Sequence, residues 1–339
     1  MIFPLLRGLL WFHRAPAVWL MVALNVGVFA WTYPAYRAAD LAIDNILDDD
    51  GFVETNGMVF AAHLLHQPRF LMDRYPSSLR TLASRSVDGD ADARSMLGHM
   101  ALRQGPFMTE MKRLVKTDQG IDRIKGDAVR IEKWSETVAR LGNIQAVHPS
   151  FRLGLSFDRT EPWRLFTYQV AHSGLMHLFW NMIFLLLFGT FVEHTRGSGA
   201  VLLTMWFGGF GGALAFIGFS GLSASPLVGA SAAVSALIAL SASHGHRRLP
   251  FVFWLLPMKG YYGVTWLPAW VLVPAFLLPD LAGWMAAQPG LGAVAYTAHV
   301  GGAVVGLLMG TLFPERAGAF EEMAQGLTGT VASLSKLSV

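Results

Sequence analysis

The sequence predicts an all-α membrane protein: six transmembrane helices in a bundle, with a helical extramembrane insert between the first and the second. Three observations predict it. Hydrophobic residues make up 53% of the 339 residues and charged ones only 14%, with a mean hydropathy of +0.42, whereas soluble domains carry roughly 25% charged residues. Six apolar stretches, at 16–33, 167–192, 199–220, 228–243, 264–281 and 293–313, approach the roughly 20 residues a helix needs to cross a bilayer core. Most of the charges gather, in near balance, between the first two stretches. An ordinary soluble enzyme and a disordered chain are disfavoured. The net charge of +3 is too small to point to nucleic acid. The absence of Cys removes disulfides, thiolate metal sites and a Cys nucleophile.

Residues 1–15 read as an interfacial segment. The first span, 16–33, has Trp19 and Trp31 near its ends, like an aromatic belt. Arg7 and Arg14 before it also fit a signal peptide, but no small-residue cleavage site follows closely. The insert, 34–161, shows apolar residues at helical spacing in Asp90–Leu102 and Ile121–Leu141. Asp48, Asp49 and Asp50 read as a solvated acidic turn, because no alternating calcium ligands follow. Residues 162–313 form a core with spans two to six. The fourth span is short and the fifth carries Pro268 and Pro274, which neighbouring helices can accommodate. Residues 314–339 form a tail.

Basic residues set the orientation. Arg7 and Arg14, Arg196, and the group Arg247, Arg248 and Lys259 fall on one side of a six-span chain, whereas 221–228 is uncharged and 279–292 holds only Asp280. The positive-inside rule places both termini and the tail in the cytoplasm and the insert outside. Such a Cys-free chain suits a bacterial inner membrane.

Polar side chains inside spans are costly and are functional candidates by default. Span two opens with His172, His177 and Asn181, span four with Gly229, Ser231 and Ser235, and span six with His299. All three begin at the outer face, so Ser231, His299, His177 and Asn181 share one depth. His299 shares a face with Gly302, Gly306 and Gly310, and Ser231 with Ser235, Ala239 and Ala242. If these small stripes pack together, Ser231 meets His299 at hydrogen-bonding range. The imidazole then activates the hydroxyl as a nucleophile. His177, Asn181 and the Ser231 N–H would stabilise an oxyanion. Taken singly, each residue also has a packing reading: small stripes hold helices together, and Ser or Asn bonds within or between helices.

At these positions the chain resembles the rhomboid family of intramembrane serine proteases. The resemblance rests on Trp163-Arg164, His172, His177 and Asn181, Gly229-Ala230-Ser231, and His299 followed by Gly301-Gly302. It implies a six-helix rhomboid-like bundle with a Ser–His dyad, no third acid and an outward-opening aqueous site. By position it makes Ser231 the nucleophile, His299 the general base, and His177 and Asn181 the oxyanion donors. His172, with a structural hydrogen-bonding role, and Trp163, Arg164 and Gly229 stand near the site. Trp163-Arg164 falls in the outer loop and span five in a gating region. Two positions depart from the family pattern: Ala232 stands where Gly is usual, and Ser235 where many members stack an aromatic on the base.

The expected activity is hydrolysis of peptide bonds in or near the transmembrane segment of single-span proteins, within the lipid bilayer. No cofactor, metal or nucleic acid is expected. The chain has no His-Glu-x-x-His motif and no paired Asp within spans. The alternative is a catalytically weak or inactive relative that binds membrane helices. A proton-coupled transporter fits less well, for want of deeper charges and inverted repeats.

Overall fold

A computed structural model describes residues 2–4, 14–66, 77–115, 127–156, 159–219, 225–254, 262–286, 294–319 and 321–322. After a short strand β1 (Ile2–Pro4), helix α1 runs over Pro16–Leu47. It continues well past the expected end at residue 33. Pro34 costs it the hydrogen bond to the carbonyl one turn back, yet the helix formers that follow carry it on. Its start is capped from a distance: the buried carboxylate of Glu193 accepts the N–H groups of Ala17 and Val18, each at 2.9 Å. These are among the amides a helix leaves unpaired at its first turn.

Helices α2 (Asp50–His66), α3 (Ser77–Val87), α4 (Ala91–Ala101), α5 (Gly105–Val115) and α6 (Ala128–Val147) follow. They enclose their own core, with Phe60, Leu97, Phe107 and Trp134 fully buried. Helices α2 and α4 cross backbone to backbone. A Cβ on Gly57 would lie 1.8 Å from the Arg94 carbonyl oxygen, and one on Gly98 2.0 Å from that of Val53. The buried Asn56 amide bridges this crossing to α6, donating to the Gly98 carbonyl and accepting from the Trp134 indole. Asp90 and Asp127 accept N–H groups at the starts of α4 and α6. Asp49 does the same for α2, accepting from Phe52 N–H, and pairs with Lys133 at 3.0 Å. The stretch expected to be helical over Ile121–Leu141 starts at Ala128 among the described residues; 121–126 lie outside them.

The next elements are α7 (Pro149–Leu153), α8 (Arg164–Thr167), α9 (Leu175–Arg196) and α10 (Ser198–Phe219). Helix α9 winds through a wider π turn at Leu185–Gly189. Then come α11 (Ser231–Ala242), strands β2 (Arg248–Trp254) and β3 (Tyr262–Pro268), α12 (Leu272–Ala286) and α13 (Val294–Leu312). Helices α1, α9 and α10 are long and apolar enough to cross a membrane; Ser231–Ala242, Ala269–Gly283 and Tyr296–Leu312 are shorter apolar helices.

The architecture is that of an all-α membrane protein, as expected. Two details differ from the expected element bounds. β1, β2 and β3 form a small antiparallel sheet in that order, with Phe3 opposite Val252 and Val252 opposite Val264. The fifth apolar stretch therefore begins as a strand, and its helix starts only at Leu272. Apolarity alone does not separate the two forms, whereas the β-branched and aromatic residues of Phe-Val-Phe-Trp and Val-Thr-Trp favour a strand. Likewise, the apolar stretch from 167 begins its long helix at Leu175, so His172 lies in the loop that enters it.

Helix α13 packs into α10 and α11 through its glycines. A Cβ on Gly302 would fall 2.0 Å from the Ala232 carbonyl oxygen, one on Gly306 2.0 Å from that of Ala236, and one on Gly301 2.6 Å from that of Gly211. Only bare backbone permits this approach.

Candidate active site

The α11–α13 contact sets the site. The glycines of α13 meet Ala232 and Ala236, not Ser231 and Ser235 as the stripe argument expected. Both pairs are small and one residue apart, so the sequence leaves the face ambiguous. The observed rotation turns Ser231 and Ser235 toward a cavity of about 330 Å³, also lined by His177, Asn181, Phe276, Asp280 and His299. There Ser231 Oγ and His299 Nε2 stand 2.9 Å apart, joining residues 68 positions distant in sequence. A second cavity of about 320 Å³, between α2 and α6, is lined by Asp127, Lys133 and Trp134 and has no comparable pair of nucleophile and base.

Ser231 is the first residue of α11, where the helix N–H groups have no intrahelical acceptors. The approach to it is held from two sides. Leu227 pairs with Leu155 in an antiparallel bridge, and Gly229 N–H donates to the Tyr168 carbonyl at 2.8 Å. Gly229 has φ +111°, and a Cβ there would lie 2.7 Å from His177 Nε2. Conformation and space both demand glycine at this point.

The buried Arg164 holds the adjoining loop. Its guanidinium donates to the carbonyls of Phe151, Arg152 and Gly154 at 3.0, 2.9 and 2.6 Å, pairs with Glu161, and lies 4.3 Å from the exposed Trp163 ring. Gly154 directly precedes the bridge at Leu155. Arg164 therefore acts on the segment that leads to Ser231, not on the cavity.

His177 accepts or donates at Nδ1 with Ser173 Oγ, 2.9 Å away. With the hydroxyl as donor, Nε2 carries the ring proton and faces the space that Gly229 leaves open. Asn181 donates one amide N–H back to the His177 carbonyl at 2.9 Å, and its second N–H remains. His172 is buried in the loop that enters α9, and its ring stands edge-on to that of His177 with centroids 5.2 Å apart. Tyr36 of α1 donates to the Ser173 carbonyl, so the extension of α1 also touches this loop.

The Ala232 methyl points into the α10 contact: it would lie 2.5 Å from a Cβ on Gly212. The extra carbon at this position is matched by a missing one opposite.

Sequence reasoning missed one residue here. Asp280, the sole ionisable residue of α12, places Oδ2 3.0 Å from His299 Nδ1. Treating 279–292 as a loop hid it. The available signal was a lone carboxylate next to an apolar run that continues as helix to Ala286. Among the described residues, no cluster of His, Asp and Glu could hold a metal ion.

No curated protein matches the chain. Residues 159–316 match the family model described as Rhomboid domain, and this segment, which contains the cavity and the helices around it, belongs to the rhomboid family.

Proposed function

We propose that the chain is an intramembrane serine endopeptidase that hydrolyses peptide bonds in or near the transmembrane segment of single-span membrane proteins. The observation that carries this reading is the 2.9 Å contact between Ser231 Oγ and His299 Nε2, in a cavity at the start of a helix. In the reaction, His299 Nε2 takes the hydroxyl proton as Ser231 Oγ attacks the scissile carbonyl. The tetrahedral oxyanion is met by the Ser231 N–H, the His177 Nε2–H and the second Asn181 N–H, with the positive end of the α11 dipole behind them. The intermediate collapses, and the imidazolium returns its proton to the leaving amine. Water, deprotonated by the same imidazole, then releases the acyl group from Ser231. A helical substrate hides its carbonyls in internal hydrogen bonds, so the cleaved segment must unwind first. Helix-breaking residues near the cut are expected in good substrates.

On this reading the six apolar helices all cross the bilayer, both termini face the cytoplasm, and α2 to α6 face outward with the mouth of the cavity. A bacterial inner membrane is the setting proposed. The basic residues at Arg196 and Arg247–Arg248 support this orientation.

The test is cleavage in membranes of a tagged single-span reporter by the wild type, Ser231→Ala and His299→Ala, with fluorophosphonate labelling of each. Cleavage and labelling by the wild type alone are expected. Equal labelling of Ser231→Ala would overturn the nucleophile assignment. Binding of the reporter with no cleavage by any form would favour a non-catalytic protein that binds membrane helices.

A further inference from the structure

The geometry points to Asp280 as the residue that positions the His299 imidazole for its work as a base, an inference that rests on the protease reading above. Three groups stand in line across three helices. Asp280 Oδ2 of α12 lies 3.0 Å from His299 Nδ1 of α13, and His299 Nε2 lies 2.9 Å from Ser231 Oγ of α11. The side chains of Asp280 and His299 are only 18% and 20% exposed. A carboxylate on an otherwise apolar helix is costly unless another group meets it, and here the imidazole does.

The consequence follows from donor chemistry. An ionised carboxylate only accepts hydrogen bonds, and a neutral imidazole has one N–H. The nitrogen that faces Asp280 therefore holds the ring proton, which leaves the lone pair on Nε2, the nitrogen that faces Ser231. During attack, the Ser231 proton moves to Nε2 while the new C–O bond forms. Asp280 stays ionised and balances the imidazolium. That proton then leaves with the amine as the C–N bond breaks, and His299 returns to the same tautomer. Ser235, on the cavity side of α11, offers no ring to hold the imidazole. Its orientation is instead set from α12. The site thus works as Ser231–His299–Asp280 rather than as an isolated pair.

The test uses the full chain, in detergent or bilayer, with the single-span reporter. Asp280→Asn is expected to lower kcat by about 10²- to 10⁴-fold, as a carboxamide favours the wrong tautomer, with KM changed less than about threefold. Asp280→Glu, which keeps the carboxylate, should retain more activity than Asp280→Asn. In ¹⁵N spectra of histidine-labelled protein, the line absent from His299→Ala should show protonation at Nδ1 in the wild type and at Nε2 in Asp280→Asn. A kcat for Asp280→Asn within about twofold of wild type, or an unchanged His299 tautomer, would overturn the inference. Should Asp280→Asn fail to fold, Asp280→Glu decides: activity within about tenfold of wild type supports the role, and loss of both turnover and the Nδ1–H line removes it. If the wild type neither cleaves nor labels, the protease reading falls, and the tautomer comparison alone settles whether Asp280 positions the ring.

Discussion

Replacing Gly302 by Ala tests whether helix packing sets the chemistry. The new Cβ would lie 2.0 Å from the Ala232 carbonyl oxygen, with the Ala232 carbonyl carbon at 2.8 Å and Cα at 3.2 Å. A carbon–oxygen contact settles at about 3.3–3.6 Å, so the shortfall is about 1.3 Å. The obstacle is backbone on both sides and cannot rotate away. Helices α11 and α13 must part or slide by about that distance. Ser231 and His299 sit on the same two helices, at 2.9 Å. The same displacement carries them to about 4 Å, beyond hydrogen-bonding reach. Overpacking of this kind costs typically 1–3 kcal/mol of stability. Turnover should fall further, because the general base contributes about 10²- to 10⁴-fold. The assay is reporter cleavage and fluorophosphonate labelling at a temperature where the variant remains folded by its unfolding curve. Gly27→Ala serves as control, since a Cβ there meets nothing within 4 Å and should leave activity unchanged. A folded Gly302→Ala enzyme with wild-type labelling would refute the claim that this crossing holds the pair together.

Two further outcomes are expected. Glu193→Ala strips two N–H groups at the start of α1 of their acceptor and should lower stability by roughly 2–4 kcal/mol, read as the loss of unfolding midpoint relative to Glu193→Gln, which keeps one acceptor oxygen. His244, past the end of α11, is pushed down to about 3 by burial and by the nearby Arg196 and Arg247 guanidiniums, and as a neutral ring it donates to Glu315 at 3.0 Å. The unfolded chain then binds the extra proton between pH 6.5 and 3, so stability should fall as pH drops through that window, by up to about 1.4 kcal/mol per unit. His244→Phe should flatten the pH dependence of the unfolding midpoint, and an unchanged slope would remove His244 as its source.

Much of the bundle was legible because membrane helices write themselves as long apolar runs, and α10, at Ser198–Phe219, lies within a residue of its expected bounds of 199–220. Shared depth, read from basic residues at the opposite ends, is enough to expect Ser231 and His299 in one region. The finer features were not readable, for identifiable reasons. The face of α11 that meets α13 was ambiguous because Ser231, Ala232, Ser235 and Ala236 are all small, so two adjacent stripes satisfy the same pattern. The strands at Arg248–Trp254 and Tyr262–Pro268 look like span on hydropathy, and only their β-branched and aromatic content argues otherwise. Asp280 was hidden by a boundary: a helix drawn to end at 281 leaves it at the edge, whereas one reaching Ala286 puts it a turn and a half inside. Glu193 was unreadable in principle, since its two acceptors serve amides 176 and 175 residues away.

The bridge between Leu155 and Leu227 has a practical bearing on how this protein can be cut down. The matched family segment opens at residue 159, yet the carbonyls that Arg164 grips belong to Phe151, Arg152 and Gly154. A shortened form begun at the family boundary would discard the bridge partner of the peptide leading to Ser231 and leave the Arg164 guanidinium without its three carbonyl acceptors. A shortened form therefore needs the chain from Pro149 onward, and α1 with it, because α1 packs into the core against Leu185 and Phe188 and takes its first-turn acceptor from Glu193.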